Sequence, residues 1–125
     1  MTTMNAHQAY KTTGTNTATP AELTLMLYNG CIKFIKLAKL AIAEKNIPER
    51  HTNIIKAQNI IRELRYTLNM NIELSKGYAQ LYDYMLDKLI EANTKNDEAI
   101  LDEVAGFVTE LRDTWKQAMK IANKK

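Results

Sequence analysis

The stretch Thr19 to Ile42, TPAELTLMLYNGCIKFIKLAKLAI, carries its own helix start and then an apolar period that runs nearly round the helix it specifies. Thr19 suits the N-cap, Pro20 falls at the first helical position where its missing N–H is no loss, and Glu22 falls at the third, completing a capping box. At about 100° per residue, Leu23, Leu27, Cys31, Phe34, Ala38 and Ala41 form one apolar line, and Leu25, Tyr28, Ile32, Ile35 and Ile42 form another. Only Glu22, Asn29, Lys33 and Lys36 keep a strip polar. The apolar or small-residue arc of roughly 260° is far wider than the stripe of an ordinary surface helix. Such a helix requires neighbours on several sides.

Three further helices follow from the same kind of reading. Lys45-Asn46 and Pro48 break the first helix, and a second is predicted over about 49–70 with Ile54, Ala57, Ile61, Leu64 and Leu68 on one face. A third is predicted from Ser75 or Gly77 to Ala92, with Tyr78, Leu81, Tyr82, Met85, Leu89 and Ala92 aligned and Asn93 placed to end it. The fourth starts at Asn96 as N-cap, with Asp97 and Glu98 in its first turn and Lys116, Lys120, Lys124 and Lys125 at its end, charges that suit the helix dipole. Along it Leu101, Val104, Val108, Leu111, Trp115, Ala118 and Ala122 alternate spacings of three and four, the seam of a helix in a bundle. Short connections and absent strand signals predict an all-α fold, an antiparallel up-down four-helix bundle over 19–125 with helices at about 19–45, 49–70, 76–93 and 97–122. Residues 1–18, rich in Thr, Asn and Ala, read as a mobile or loosely docked N-terminal tail. Tyr10, an isolated aromatic in that polar segment, is its candidate docking side chain.

Bundles also host enzymes, and the chemistry for one is missing from this sequence. A di-iron site calls for Glu-x-x-His pairs, but His7 and His51 have Met4 and Pro48 three residues before them. Glycines at 14, 30, 77 and 106 build no phosphate loop, and the acid pairs Asp97-Glu98 and Asp102-Glu103 fall on exposed helix faces. Cys31 is the only cysteine, so no internal disulfide forms, and its position on an apolar line makes it a buried, reduced thiol. The reading is a non-enzyme with no metal and no cofactor. Seventeen basic and 14 acidic residues give a net charge of +3, interspersed along the helices, too mild to argue for nucleic acid. No apolar run approaches the roughly 20 residues that span a bilayer, which argues against membrane insertion, and the N-terminus lacks a signal-peptide core, which points to the cytoplasm.

The chain also resembles a known family. The threonine-proline start running into Leu-Met-Leu-Tyr-Asn-Gly-Cys is similar to the first helix of the FliS family of flagellar export chaperones. Ile-Lys-Ala-Gln-Asn-Ile-Ile-Arg-Glu-Leu at 55–64, Leu81-Tyr82-Asp83-Tyr84-Met85, Glu91-Ala92-Asn93 and the late Trp115 continue the likeness over nearly the whole chain. Where family members often carry a Gly-Gly pair before the third helix, this chain has Ser75-Lys76-Gly77. The resemblance implies a chaperone that wraps the C-terminal segment of flagellin, keeps it from polymerising in the cytosol and delivers it to the flagellar export apparatus. It also implies that an N-terminal tyrosine, here Tyr10, covers part of the binding surface.

From the residues alone, the surplus apolar surface of the first helix, with Phe107 and Ile121 beside the seam of the fourth, has two explanations. Either the first helix is simply central in the bundle, or an apolar partner segment lies in grooves between helices. On the second, Tyr10, Leu25, Tyr28, Ile32, Ile35 and Phe107 are the candidate partner-binding residues. A rival from another class, a helical regulatory or DNA-binding bundle, draws on the net positive charge and on Lys33, Lys36, Arg62 and Arg65, and predicts salt-sensitive binding to duplex DNA. A self-associating bundle that buries the same arc between copies is the third.

Overall fold

The Thr19 hydroxyl accepts a hydrogen bond from the Glu22 N–H at 3.1 Å, and the Glu22 carboxylate accepts one from the Thr19 N–H at 2.8 Å. This reciprocal cap opens α1 (Pro20–Ala43) in a computed structural model of the chain, which describes residues 18–123. The Thr19 bonds hold the Glu22 carboxyl below its ordinary pKa. Three more helices follow, α2 (Ile47–Tyr66), α3 (Glu73–Lys95) and α4 (Glu98–Asn123), and no strand occurs among the described residues.

The corners of the bundle come from short polar residues. After Ala43 the chain turns through Lys45, whose φ of 57° is left-handed, and the Asn46 N–H closes back on the Ala41 carbonyl at 2.8 Å. This is a Schellman stop built without glycine. Asn46 then caps α2 by accepting from the Glu49 N–H at 3.1 Å, with Pro48 in the first turn. The α3–α4 corner repeats the device: Asn96 takes φ 56°, the Asp97 N–H bonds the Ala92 carbonyl at 3.1 Å, and the Asp97 carboxylate accepts from Ala99 and Ile100.

The ends of α3 therefore differ from the sequence reading. Asn96, expected to start α4, ends α3, and Asp97 takes the cap one residue later: Asn enters the left-handed region at low cost, and the carboxylate accepts from two N–H groups. At its other end α3 begins at Glu73, with Ile72 as N-cap and no side-chain cap bond. Ser75-Lys76-Gly77 thus lies inside the helix. Correspondingly α2 stops at Tyr66, earlier than the expected 70.

Each helix packs on two others, α1 and α3 each touching both α2 and α4, so the four stand at the corners of a square. Cross-links fix their directions. Trp115 of α4 reaches Ala21 near the start of α1 while Lys39 near its end pairs with Asp102 and Glu98. Arg65 at the end of α2 forks onto Asp83 of α3 at 2.7 and 3.1 Å, and Arg50 near its start bonds Asn93 and Asn96 near the end of α3. Neighbours run antiparallel. The core between them holds Leu27, Ile35, Ile54, Ile60, Ile61, Met85, Leu89, Leu101, Val104 and Val108, all but fully buried.

Both apolar lines of α1 are absorbed by this packing. Cys31 and Phe34 of the first line meet α2, the Cys31 thiol lying 3.9 Å from the Ala57 carbonyl and Lys56 standing over the Phe34 ring. Tyr28 of the second line crosses the interior to Tyr82 of α3. Ile35 is 0% exposed and Ile32 and Tyr28 are each 6% exposed. Expected on an outer line, these three belong to the core, because the helices beside α1 cover a wider arc than one contact stripe.

Ile35→Ala is expected to cost about 2–5 kcal/mol, and Ile35→Asp to abolish the cooperative transition. Leu40→Asp, on the same helix but 52% exposed, should stay within about 0.5 kcal/mol of the unsubstituted chain. Urea unfolding followed by circular dichroism measures all three.

Candidate functional site

In an up-down bundle the start of α1, the end of α2, the start of α3 and the end of α4 share one end, and here they do not close over it. A groove of about 490 Å³ opens between them. Thr24 and Tyr28 come from α1, Leu64 from α2, Thr67, Leu68, Asn69 and Ile72 from the connecting turn, Leu74, Ser75, Tyr78 and Tyr82 from α3, and Leu111, Thr114, Trp115 and Ala118 from α4. None of these side chains is charged.

The floor of the groove is a pair of phenols. Tyr28 and Tyr82 hydroxyls lie 3.0 Å apart, both rings buried, and the Tyr78 ring lies beside Tyr82 with centroids 6.4 Å apart and planes 29° apart. One hydroxyl donates to the other. The second hydroxyl's proton has no acceptor among the described residues, so the floor of the groove offers one phenol donor, in a lining that also carries the polar side chains of Thr24, Thr67, Asn69, Ser75 and Thr114. Burial away from water is the larger cause that pushes both phenols above their ordinary pKa, and for Tyr28 the bond from Tyr82 draws it partly back. Both stay neutral.

Trp115 forms one wall. Its indole N–H donates to the Ala21 carbonyl at 2.9 Å, which fixes the ring against the first turn of α1 and leaves its apolar body facing the opening. Ile72 and Leu74, 52% and 70% exposed, extend the apolar surface outward from the rim, with Met70 exposed beside them. Such an arrangement presents apolar area to the opening of the groove. Burial pushes the Cys31 thiol up to about 12, so it presents no thiolate.

The residues singled out from the sequence are dispersed by the fold. Tyr28 joins the floor of the end groove, and Ile32 lines a separate groove between α1 and α4. Leu25 is half-buried, and Phe107 is half-buried with its ring edge-on to Tyr84 at 6.0 Å. Ile35 reaches no groove surface, and Tyr10 lies outside the described residues. Leu68, Tyr78, Leu111 and Trp115, read from spacing as core seam, are the groove's apolar walls. One signal for them was present in the sequence: Thr67 to Ile72, TLNMNI, is six uncharged residues between the charged Arg65 and Glu73, in a chain where a quarter of residues are charged.

The chain matches the model of the family described as "Flagellar protein FliS" over residues 3–122. It is 54% identical over 124 residues to the flagellar secretion chaperone FliS of Bacillus subtilis, covering 99% of this chain and 93% of that one. The flagellar secretion chaperone FliS of Vibrio cholerae is 34% identical, covering 88% and 85% of the two chains, and that of Salmonella typhimurium 31%, covering 80% and 76%.

The phenol pair makes stability fall at high pH. Below the ordinary tyrosine value of 10.0 its contribution is fully present, and above it the unfolded chain loses phenol protons that the folded chain retains, so unfolding gains. Denaturation midpoints measured from pH 8 upward should decline beyond pH 10, and more steeply than in Tyr28→Phe/Tyr82→Phe. Tyr82→Phe alone, which strands the Tyr28 hydroxyl, should cost about 1 kcal/mol, and the double substitution less than the sum of the two single ones.

Proposed function

The chain belongs to the FliS family, and on that premise we propose that it is a cytoplasmic chaperone for flagellin, holding the C-terminal segment of flagellin until the flagellar export apparatus receives it. The end groove carries this reading. It is apolar, open at one face, free of charge and continuous with exposed Ile72 and Leu74 on the rim. A segment whose apolar stripe is made for assembly with other copies finds in it the neighbour it lacks, and its polymerisation is suppressed while that stripe is covered. Ordering such a segment costs free energy, which the buried area must exceed, so a long contact surface is required. The groove supplies the deep anchor and the exposed rim supplies length.

Charge contributes little to an uncharged groove. Binding of the flagellin C-terminal segment should therefore show a negative heat-capacity change and small dependence on salt, in contrast to binding of duplex DNA.

Isothermal titration of the purified chain with that segment is expected to give a one-to-one complex, and absence of heat at several temperatures would refute the reading. Trp115→Ala should weaken the complex at least about tenfold, as loss of a buried aromatic anchor does, with the circular-dichroism spectrum retained.

A further inference from the structure

A second groove, of about 530 Å³, runs along the flank of the bundle between α1 and α4 and shares no lining residue with the groove at the end. Its apolar side chains are Ile32, Leu37 and Leu40, of which Leu37 and Leu40 are exposed. They lie along little more than two turns of α1, about 12 Å of helix. Its charged side chains are Lys33, Lys36 and Arg112, and no carboxylate lines it.

The surrounding ion pairs leave two of these three cations, Lys33 and Lys36, uncompensated. Arg112 bonds Asp113 on its own helix at 3.1 Å and Asn29 across the groove at 3.4 Å. The Asp102 and Glu98 carboxylates farther along α4 are taken by Lys39. Lys33 stands over the Phe34 ring at 5.5 Å, and neither Lys33 nor Lys36 has a carboxylate within 4 Å among the described residues. A partly apolar surface with two unpaired lysines selects by sign. The end groove, with no charge at all, does not.

We propose that this flank groove docks an amphipathic helix of a partner protein, with leucine-like side chains one turn apart set between acidic residues, and that it does so while the end groove is occupied. The side chains of one face of α1, with Arg112 of α4 beside them, receive a ridge of partner side chains. Carboxylates flanking the partner's apolar stripe meet Lys33 and Lys36.

The test uses the full chain and two synthetic fluorescent peptides of about four helical turns, one with glutamates and one with lysines flanking the same leucine stripe. Fluorescence anisotropy should show binding of the acidic peptide and none of the basic one. Lys33→Glu/Lys36→Glu should weaken it at least about tenfold, and raising salt from about 0.05 to 0.5 M should weaken it severalfold. Saturation with the flagellin C-terminal segment should leave its affinity unchanged, and the double variant should bind that segment as the unsubstituted chain does. The peptide measurement stands whether or not the flagellin segment binds. Equal binding of both peptides, no binding of either, or full affinity in the double variant overturns the proposal. So does displacement by the flagellin segment, which would make the two grooves one site. Vesicles containing phosphatidylglycerol are the remaining arm: binding to them that the double variant loses, without peptide binding, assigns the patch to a membrane surface and overturns it likewise.

Discussion

The close packing of α1 against α2 is the constraint from which the rest of the bundle follows. Gly30, Cys31, Ala38 and Ala41 of α1 and Ala57 of α2 are small and buried, and the Cys31 thiol comes within 3.9 Å of the Ala57 carbonyl. Small side chains let two helix backbones approach, so the larger Ile35, Ile54, Ile60 and Ile61 are left to fill the space toward α3 and α4. A helix apolar over most of its circumference cannot be satisfied by one partner. With α2 on one side and α4 on the other, and with Tyr28 reaching α3 through the centre, α1 becomes the element that every other helix packs on or points at.

The two grooves arise where that filling stops. At the end of the bundle Trp115 of α4 lies level with Ala21 at the start of α1 while α4 continues to Asn123, so the last turns of α4 run past the first turn of α1. The seam of α4 passes from fully buried at Leu101, Val104 and Val108 through half-buried at Leu111 and Trp115 to exposed at Ala118 and Ala122. Along the flank, Leu37 and Leu40 project from α1 beyond the reach of α4. Both grooves stand open among the described residues, so each retains apolar surface there.

The helices were legible because period, caps and breakers are local. The Thr19 to Glu22 box and the first half of the α4 seam, Leu101, Val104 and Val108, appear in the structure as spacing predicts, while Pro48, read as a breaker, sits in the first turn of α2. The sites were not legible for a corresponding reason. A helical projection tells which residues share a face and is silent on how many neighbours will cover it, so it does not mark Ile32 and Ile35 as buried. Tyr28 and Tyr82 meet across 54 residues of chain, and the end groove draws on all four helices and a turn. Boundaries failed where two polar residues compete. Asn93 reads as the stop of α3 and Asn96 as the cap of α4, whereas Asn96 forms the stop and Asp97 the cap.

The corners described above also make the two ends of the bundle unequal in their resistance to opening. At one end two left-handed stops, two side-chain caps and a hydrogen-bonded cluster of Arg50, His51, Asn93 and Asn96 tie α2 to α3 and each helix to the next. At the other, α3 begins at Ile72 with no side chain to hold its first N–H groups. Amide exchange with solvent will therefore be slowest at the closed end and fastest in the first turn of α3, and fraying there widens the groove without disturbing the core. An incoming chain meets an entrance that yields at little cost, backed by a frame that does not.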